Sequence, residues 1–229
     1  MKKRILAVAL ALATLLSIFA VGAFAATPEE QAEILLEQTR ATLNSGKYTL
    51  KARGTSPGGN PMPVVFAVDG ERWMFETTMD WVSMLREMGA NKVRDTLFGW
   101  AMQLFFGKKV RFITERSQAL IVFVNRRIYA VVPDSPDLLD IDITAVFDIP
   151  DLTGMTVTEP TVGGKKYLCA TLENDDGIAI SYYYLNGALK RIAIEDAVIE
   201  IDSLSASVDQ SYFSTKWMWK LTFKLFNLF

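Results

Sequence analysis

The sequence predicts an α+β fold built mainly on antiparallel sheet, from three observations. Residues 155–213 alternate between apolar and polar side chains with a period of two and are cut by tight-turn residues, notably Asp176-Gly177 and Asn186-Gly187. Such dipeptides supply the positive φ angles of two-residue hairpins, so this stretch is a meander. A single amphipathic helix precedes the strands, and a helix-periodic segment, residues 79–107, interrupts them.

The elements follow in order. Met1-Lys2-Lys3-Arg4, an apolar run from Ile5 to Val21, and small residues at Ala23 and Ala25 have the form of a secretory signal peptide cut after Ala25. The same run is long enough, at about 1.5 Å per residue, to span a bilayer as an uncleaved anchor. Thr27-Pro28-Glu29-Glu30 starts a helix, with a Thr cap, Pro at the first position and acids near the positive end; Asn44-Ser45-Gly46 stops it. Strands are then expected around Tyr48-Leu50-Ala52, over Val64 to Val68, and over Arg72 to Glu76 after an Asp69-Gly70 turn. In residues 79–107, Trp81, Leu85 and Met88 share one helical face, Gly89-Ala90-Asn91 forms a break, and Val93, Leu97, Trp100 and Leu104 recur at helical spacing. Phe98, Met102, Phe105 and Phe106 widen that apolar sector, so the helix either packs into the core on most sides or faces an apolar ligand. Three more strands span residues 109–132; residues 138–151 are irregular, and the meander supplies five strands, giving about eleven in all.

Composition limits the chemistry. Removal of 25 of 229 residues leaves 204, the size of one domain or two small ones. The leader carries three basic residues, so its loss takes the net charge from −2 to −5. Nucleic acid demands a basic footprint and is not an expected partner. The chain has no histidine and one cysteine, Cys169, which excludes His-based triads, the usual zinc sites and any thiolate cluster. No cofactor or metal is expected. Cys169 has no internal disulfide partner and reads as a buried, inert thiol.

Short motifs add little. Asp140-Ile141-Asp142 has the spacing of a phosphatase nucleophile pair but lacks a preceding buried strand, and reads as alternation. Asn174-Asp175-Asp176-Gly177 lacks the later Glu of a calcium loop and reads as a turn. Gly163-Gly164-Lys165-Lys166 lacks the first Gly and the Ser or Thr of a phosphate loop.

The end of the chain, residues 214–229, is a basic aromatic amphipathic tail. On a helical wheel Lys216, Lys220 and Lys224 cluster while Trp217, Trp219, Phe223 and Phe226 fill the remainder, which suits a helix at a membrane interface. The same residues also alternate as a strand would, because Trp217, Trp219, Leu221 and Phe223 fall on one side.

The order of parts, with the closing phrases Gly164-Lys165-Lys166-Tyr167, Ser181-Tyr182-Tyr183-Tyr184-Leu185-Asn186-Gly187 and Ser207-Val208-Asp209-Gln210-Ser211-Tyr212-Phe213, resembles the extracytoplasmic LolA/LppX-like superfamily of lipoprotein carriers and lipid-binding half-barrels. The resemblance spans residues 28–213 and implies one strongly curved antiparallel half-barrel, with helices over its concave face and an apolar cavity between. It implies a secreted or bacterial-envelope protein that is not an enzyme and binds a lipid or other hydrophobic ligand. The residues expected to face that ligand are Trp73, Phe75, Trp81, Leu85, Met88, Leu97, Trp100 and Met102. The alternative is a structural or sensor domain without ligand, associated with an anionic membrane surface through Lys216, Trp217, Trp219, Lys220, Phe223, Lys224 and Phe226.

Overall fold

The fold is described from a computed structural model covering residues 26–55, 61–87, 93–115, 118–132, 149–174, 176–195 and 197–221. The proposed leader, Met88 and the Gly89-Ala90-Asn91 break, Asp140 and Asp142, Asp175 of the proposed turn, and Phe223, Lys224 and Phe226 lie outside these residues.

Helix α1 (Pro28–Asn44) begins with a complete capping box: Glu30 N–H donates to Thr27 Oγ1 at 3.2 Å, and Thr27 N–H donates to Glu30 Oε2 at 2.8 Å. Strands β1 (Lys47–Thr55), β2 (Pro61–Asp69) and β3 (Arg72–Thr78) follow. Helices α2 (Trp81–Glu87) and α3 (Val93–Phe106) then interrupt the strands. Next come β4 (Lys109–Glu115), β5 (Gln118–Phe123), a 3₁₀ turn at Val124–Arg126, and β6 (Ile128–Val132). The later half contains β7 (Thr156–Thr158), β8 (Thr161–Val162), β9 (Lys165–Lys166), β10 (Leu168–Glu173), β11 (Ala179–Leu185), β12 (Ala188–Ile194) and β13 (Ala197–Ser205). A 3₁₀ turn at Gln210–Phe213 leads to β14 (Trp219–Leu221).

Among the described residues, twelve strands form one open sheet in the order β14-β6-β5-β4-β3-β2-β1-β13-β12-β11-β10-β7, and β8 pairs with β9 apart from it. The α+β class expected from the sequence holds. Eleven of the sheet's strands are the expected ones, trimmed at one place: Lys165–Lys166 turns away to pair with Thr161–Val162, so β10 starts only at Leu168. The twelfth is β14, which joins β6 in parallel and makes the sheet mixed rather than antiparallel throughout. The strand reading of the tail therefore holds for Trp219–Leu221.

Turn chemistry sets the registers. Asn186 and Gly187 both have positive φ, 52° and 75°, and join Leu185 to Ala188 as the two-residue loop their pairing favours. The earlier hairpin turns one residue later than the Asp-Gly dipeptide suggests. Asp69 stays in the ladder opposite Arg72, held by a 2.6 Å ion pair, and Gly70 takes the positive φ at the first loop position.

The two faces carry different covers. On the first, Tyr48, Leu50, Phe66, Ala170, Leu172, Tyr182, Ile192 and Ile201 pack beneath Ala32 and Leu36 of α1. Tyr184 O–H and Thr39 Oγ1 meet at 3.1 Å under the helix, and burial pushes the Tyr184 phenol well above its ordinary pKa. On the same face Trp81, Val110 and Phe123 form a second cluster under α2 and α3. The opposite face buries Ala67, Met74, Ile113 and Val122 beneath Phe213, with Val208, Tyr212 and Met218 alongside. The segment 206–218 thus crosses the opposite face as a strap, from β13 to the β6 edge.

One polar cluster lies under this strap. Glu76 is 3 % exposed and Arg111 7 %, and Arg111 donates from Nε and Nη2 to Glu76 Oε2 at 2.8 and 2.6 Å. Lys109 Nζ reaches Glu76 Oε1 at 2.7 Å. Arg111 Nη1 donates to the carbonyls of Ser211 and Tyr212 at 3.2 and 3.0 Å, so the buried pair is bonded to the strap itself. At the edge, Asp69 accepts from Arg72 and from Gln210 Nε2 at 2.9 Å, and these bonds hold its carboxyl below the usual carboxylate range.

Candidate apolar binding site

Alternation places Trp73 and Phe75 of β3, Phe112 of β4, Ala119 and Ile121 of β5, and Val132 of β6 on the helix-bearing face. They line a cavity of about 220 Å³, between the part of the sheet under α1 and the part under α2 and α3. No polar atom is exposed in its wall. Thr114, the polar side chain here, lies against the Trp73 main chain, whose N–H donates to Thr114 Oγ1 at 3.3 Å. Trp73 continues into the core through Phe66, with ring centroids 6.4 Å apart, and Phe75 meets Phe112 at the same separation.

The size decides what fits. An apolar cavity of about 150 Å³ stays dry and accepts benzene, whereas whole drug-sized ligands occupy about 300–1,000 Å³. The trough therefore suits one apolar group or a segment of an acyl chain, with any polar end outside it.

Of the residues expected to face a ligand, Trp73 and Phe75 line this trough. Trp81 and Met102 instead pack with Phe123 and Phe106, and the Trp81 indole Nε1 donates to the Gly107 carbonyl at 2.6 Å. That arrangement fixes the helical segment and leaves Trp81 outside the trough wall. Leu97 and Trp100 do not face the sheet: they are turned outward and exposed, because Gly99, Met102 and Phe106 occupy the inward side of α3. Leu85 belongs to α2, but its side chain, like the whole of Met88, is outside the described residues. Phe112, Ala119, Ile121 and Val132 were not singled out in the sequence, although their strict alternation marks them as one face.

Lys216, Trp217, Trp219 and Lys220 lie near the β14 edge; both tryptophans and Lys220 are exposed, and Lys216 lies over the Trp217 ring at 5.6 Å. Cys169 is buried, with Sγ 3.9 Å from Thr171 Oγ1. Among the described residues no three His, Cys, Asp or Glu side chains come together to hold a metal, and no helix is long and apolar enough to cross a membrane. A second, more polar groove of about 280 Å³ runs between α1 and the β12–β13 hairpin. Lys190 and Asp202 line it, and Lys190 Nζ donates to the Asp202 carbonyl at 3.4 Å.

No family model and no curated protein sequence matches the chain. Among solved structures it is similar to an uncharacterized conserved protein from Thermus thermophilus, with a TM-score of 0.40 and 7% identity over 83% of this chain and 98% of that one. It is also similar to PNGF-II, with a TM-score of 0.26 and 10% identity, over 76% of this chain and 31% of that one.

Proposed function

We propose that the protein is a non-enzymatic, extracytoplasmic binder of a lipid or other hydrophobic small molecule. An acyl segment or similar apolar group inserts between Trp73, Phe75, Phe112, Ala119, Ile121 and Val132 of the sheet. In this proposal the sheet is a strongly curved half-barrel of the LolA/LppX kind, with α2 and α3 as its partial lid. The observation that carries the proposal is the trough wall without exposed polar atoms. A wall of that chemistry gains from apolar burial at about 25 cal/mol per Å² and offers nothing to orient a polar substrate. The absence of histidine, with a single buried thiol, agrees with binding rather than catalysis. The basic start and Ala-Phe-Ala end of residues 1–25 support export.

Native mass spectrometry of the purified protein tests the proposal. The expected result is a co-purifying apolar mass, released by organic solvent and absent from Ala119→Phe, which fills the trough. A protein that carries no such mass and takes up no fluorescent fatty acid refutes it.

A further inference from the structure

Helix α3 presents its apolar side outward. Its inward side is fixed by close contacts: a Cβ on Gly99 would lie 3.0 Å from Val82 Cα, and Phe106 meets Phe123 with ring centroids 4.4 Å apart. The helix cannot roll without breaking these contacts. Leu97, Phe98, Trp100, Leu104 and Phe105 are left 65, 53, 64, 67 and 67 % exposed. At 100° per residue they cover an arc of roughly 160°, with Ala101 between them.

This arc reaches β14. The Arg126 guanidinium donates to the Leu104 carbonyl, and the carbonyl of the next residue, Arg127, accepts from Trp219 N–H at 2.8 Å. Register sets Trp219 beside Ile128, on the helix-bearing face. Trp217 and Trp219 are 82 and 81 % exposed, so two more large rings stand at the same corner.

The charge of this corner is mainly positive. Residues 97–109, 118–132 and 214–221 contain Lys and Arg but no Asp or Glu. Lys109 is neutralised by Glu76, Lys108 lies in the field of Asp80, and Lys220, beside Tyr129, stands on the strap-bearing face, which leaves Arg126, Arg127 and Lys216 as the cations of this corner. The chain as a whole is net negative, so this local excess of cations is set apart from the rest of the surface.

We propose that α3 and β14 together form a docking face for an anionic lipid bilayer. Leu97, Leu104 and Phe105 enter the acyl boundary, the tryptophans sit at headgroup depth, and Arg126, Arg127 and Lys216 meet lipid phosphates. The charge selects this occupant, because a second copy would set these three cations against the same three. The proposal stands independently of what fills the trough, and Ala119→Phe is expected to bind vesicles as the wild type does.

The test is partition of the full chain onto vesicles of equimolar phosphatidylcholine and phosphatidylglycerol, against pure phosphatidylcholine. Every variant carries the same N terminus, so differences report this face. The wild type is expected to prefer the anionic vesicles, to lose affinity as salt rises, and to show tryptophan quenching by brominated phosphatidylglycerol. Leu97→Gln with Leu104→Gln, both exposed and helix-compatible, is expected to weaken partition about tenfold or more. Arg127→Gln with Lys216→Gln is expected to flatten the salt dependence. Equal partition of wild type and Leu97→Gln/Leu104→Gln, or no quenching by the brominated lipid, overturns the proposal. So does sedimentation showing a lipid-free wild-type dimer that the Leu97→Gln/Leu104→Gln variant abolishes, since the face would then belong to a second copy.

Discussion

Replacing Arg111 with Met strands a carboxylate. Glu76 is 3 % exposed and takes two of its three charge-assisted bonds from Arg111, the third coming from Lys109, whose side chain is 45 % exposed. Breaking a buried ion pair from one side costs about 3–5 kcal/mol, because the remaining charge stays out of water. The Lys109 ammonium holds the cost toward the lower end, while loss of the bonds to the Ser211 and Tyr212 carbonyls adds about 1 kcal/mol each. For a domain of about 200 residues the total, about 5 kcal/mol, corresponds to a fall in Tm of roughly 10–20 °C. Urea unfolding followed by fluorescence and circular dichroism, with coincident transitions, gives the free energy. The companion Glu76→Leu/Arg111→Met removes both charges and is expected to recover most of the loss. A cost below about 1 kcal/mol for Arg111→Met, or a double variant no more stable than the single one, refutes the buried-pair argument.

Other perturbations have equally definite outcomes. Leu36→Ala, at a fully buried position between α1 and the sheet, is expected to cost about 2–5 kcal/mol by denaturant unfolding; a change under about 1 kcal/mol would mean that α1 does not seal that half of the core. Tyr184→Phe is expected to cost only about 0.5–1.5 kcal/mol, since the Thr39 hydroxyl keeps its 2.8 Å bond to the Leu35 carbonyl; a larger loss would show the pair to be a keystone of the α1 contact. Asp69 and Asp209 have folded-state pKa values below their ordinary ones, Asp69 through bonds from Gln210 and Arg72 and Asp209 through Ser211. A depressed carboxylate stabilises the fold above the unfolded pKa of about 3.9 and loses that contribution as pH falls through the folded value. The Tm is therefore expected to drop in acid below about pH 4, and less steeply in Asp69→Asn; an unchanged profile in that variant removes Asp69 from the account.

Much of the fold was legible because strands, turns and caps are local. Thr27 with Glu30, Asn186-Gly187 and the alternation in β10 to β13 carry their geometry in a few residues. The parallel addition of β14 depends on the strap first crossing the opposite face, and no local pattern encodes that path. Only part of the trough was legible, for a related reason. Trp73 and Phe75 stood out by size, whereas Ala119 and Val132 matter only because the ladders set Ala119 opposite Thr114 and Val132 opposite Ala119. Helix α3 misled in direction. Its apolar residues surround nearly the whole helix, so periodicity could not say which side met the sheet, and Gly99 against Val82 decided it. Glu76 and Arg111 sit on the face of β3 and β4 away from the helices, and the strap that covers them comes from a distant part of the chain.

Titration of the delipidated protein with a fluorescent fatty acid, wild type beside Ala119→Phe, tests the central claim most directly. The trough account predicts saturable uptake with an emission blue shift in the wild type. It predicts loss of uptake in Ala119→Phe, with both proteins unfolding at similar urea concentrations. Uptake of equal strength in the two would contradict it, because the ligand would then lie somewhere other than between Trp73, Phe112 and Ile121.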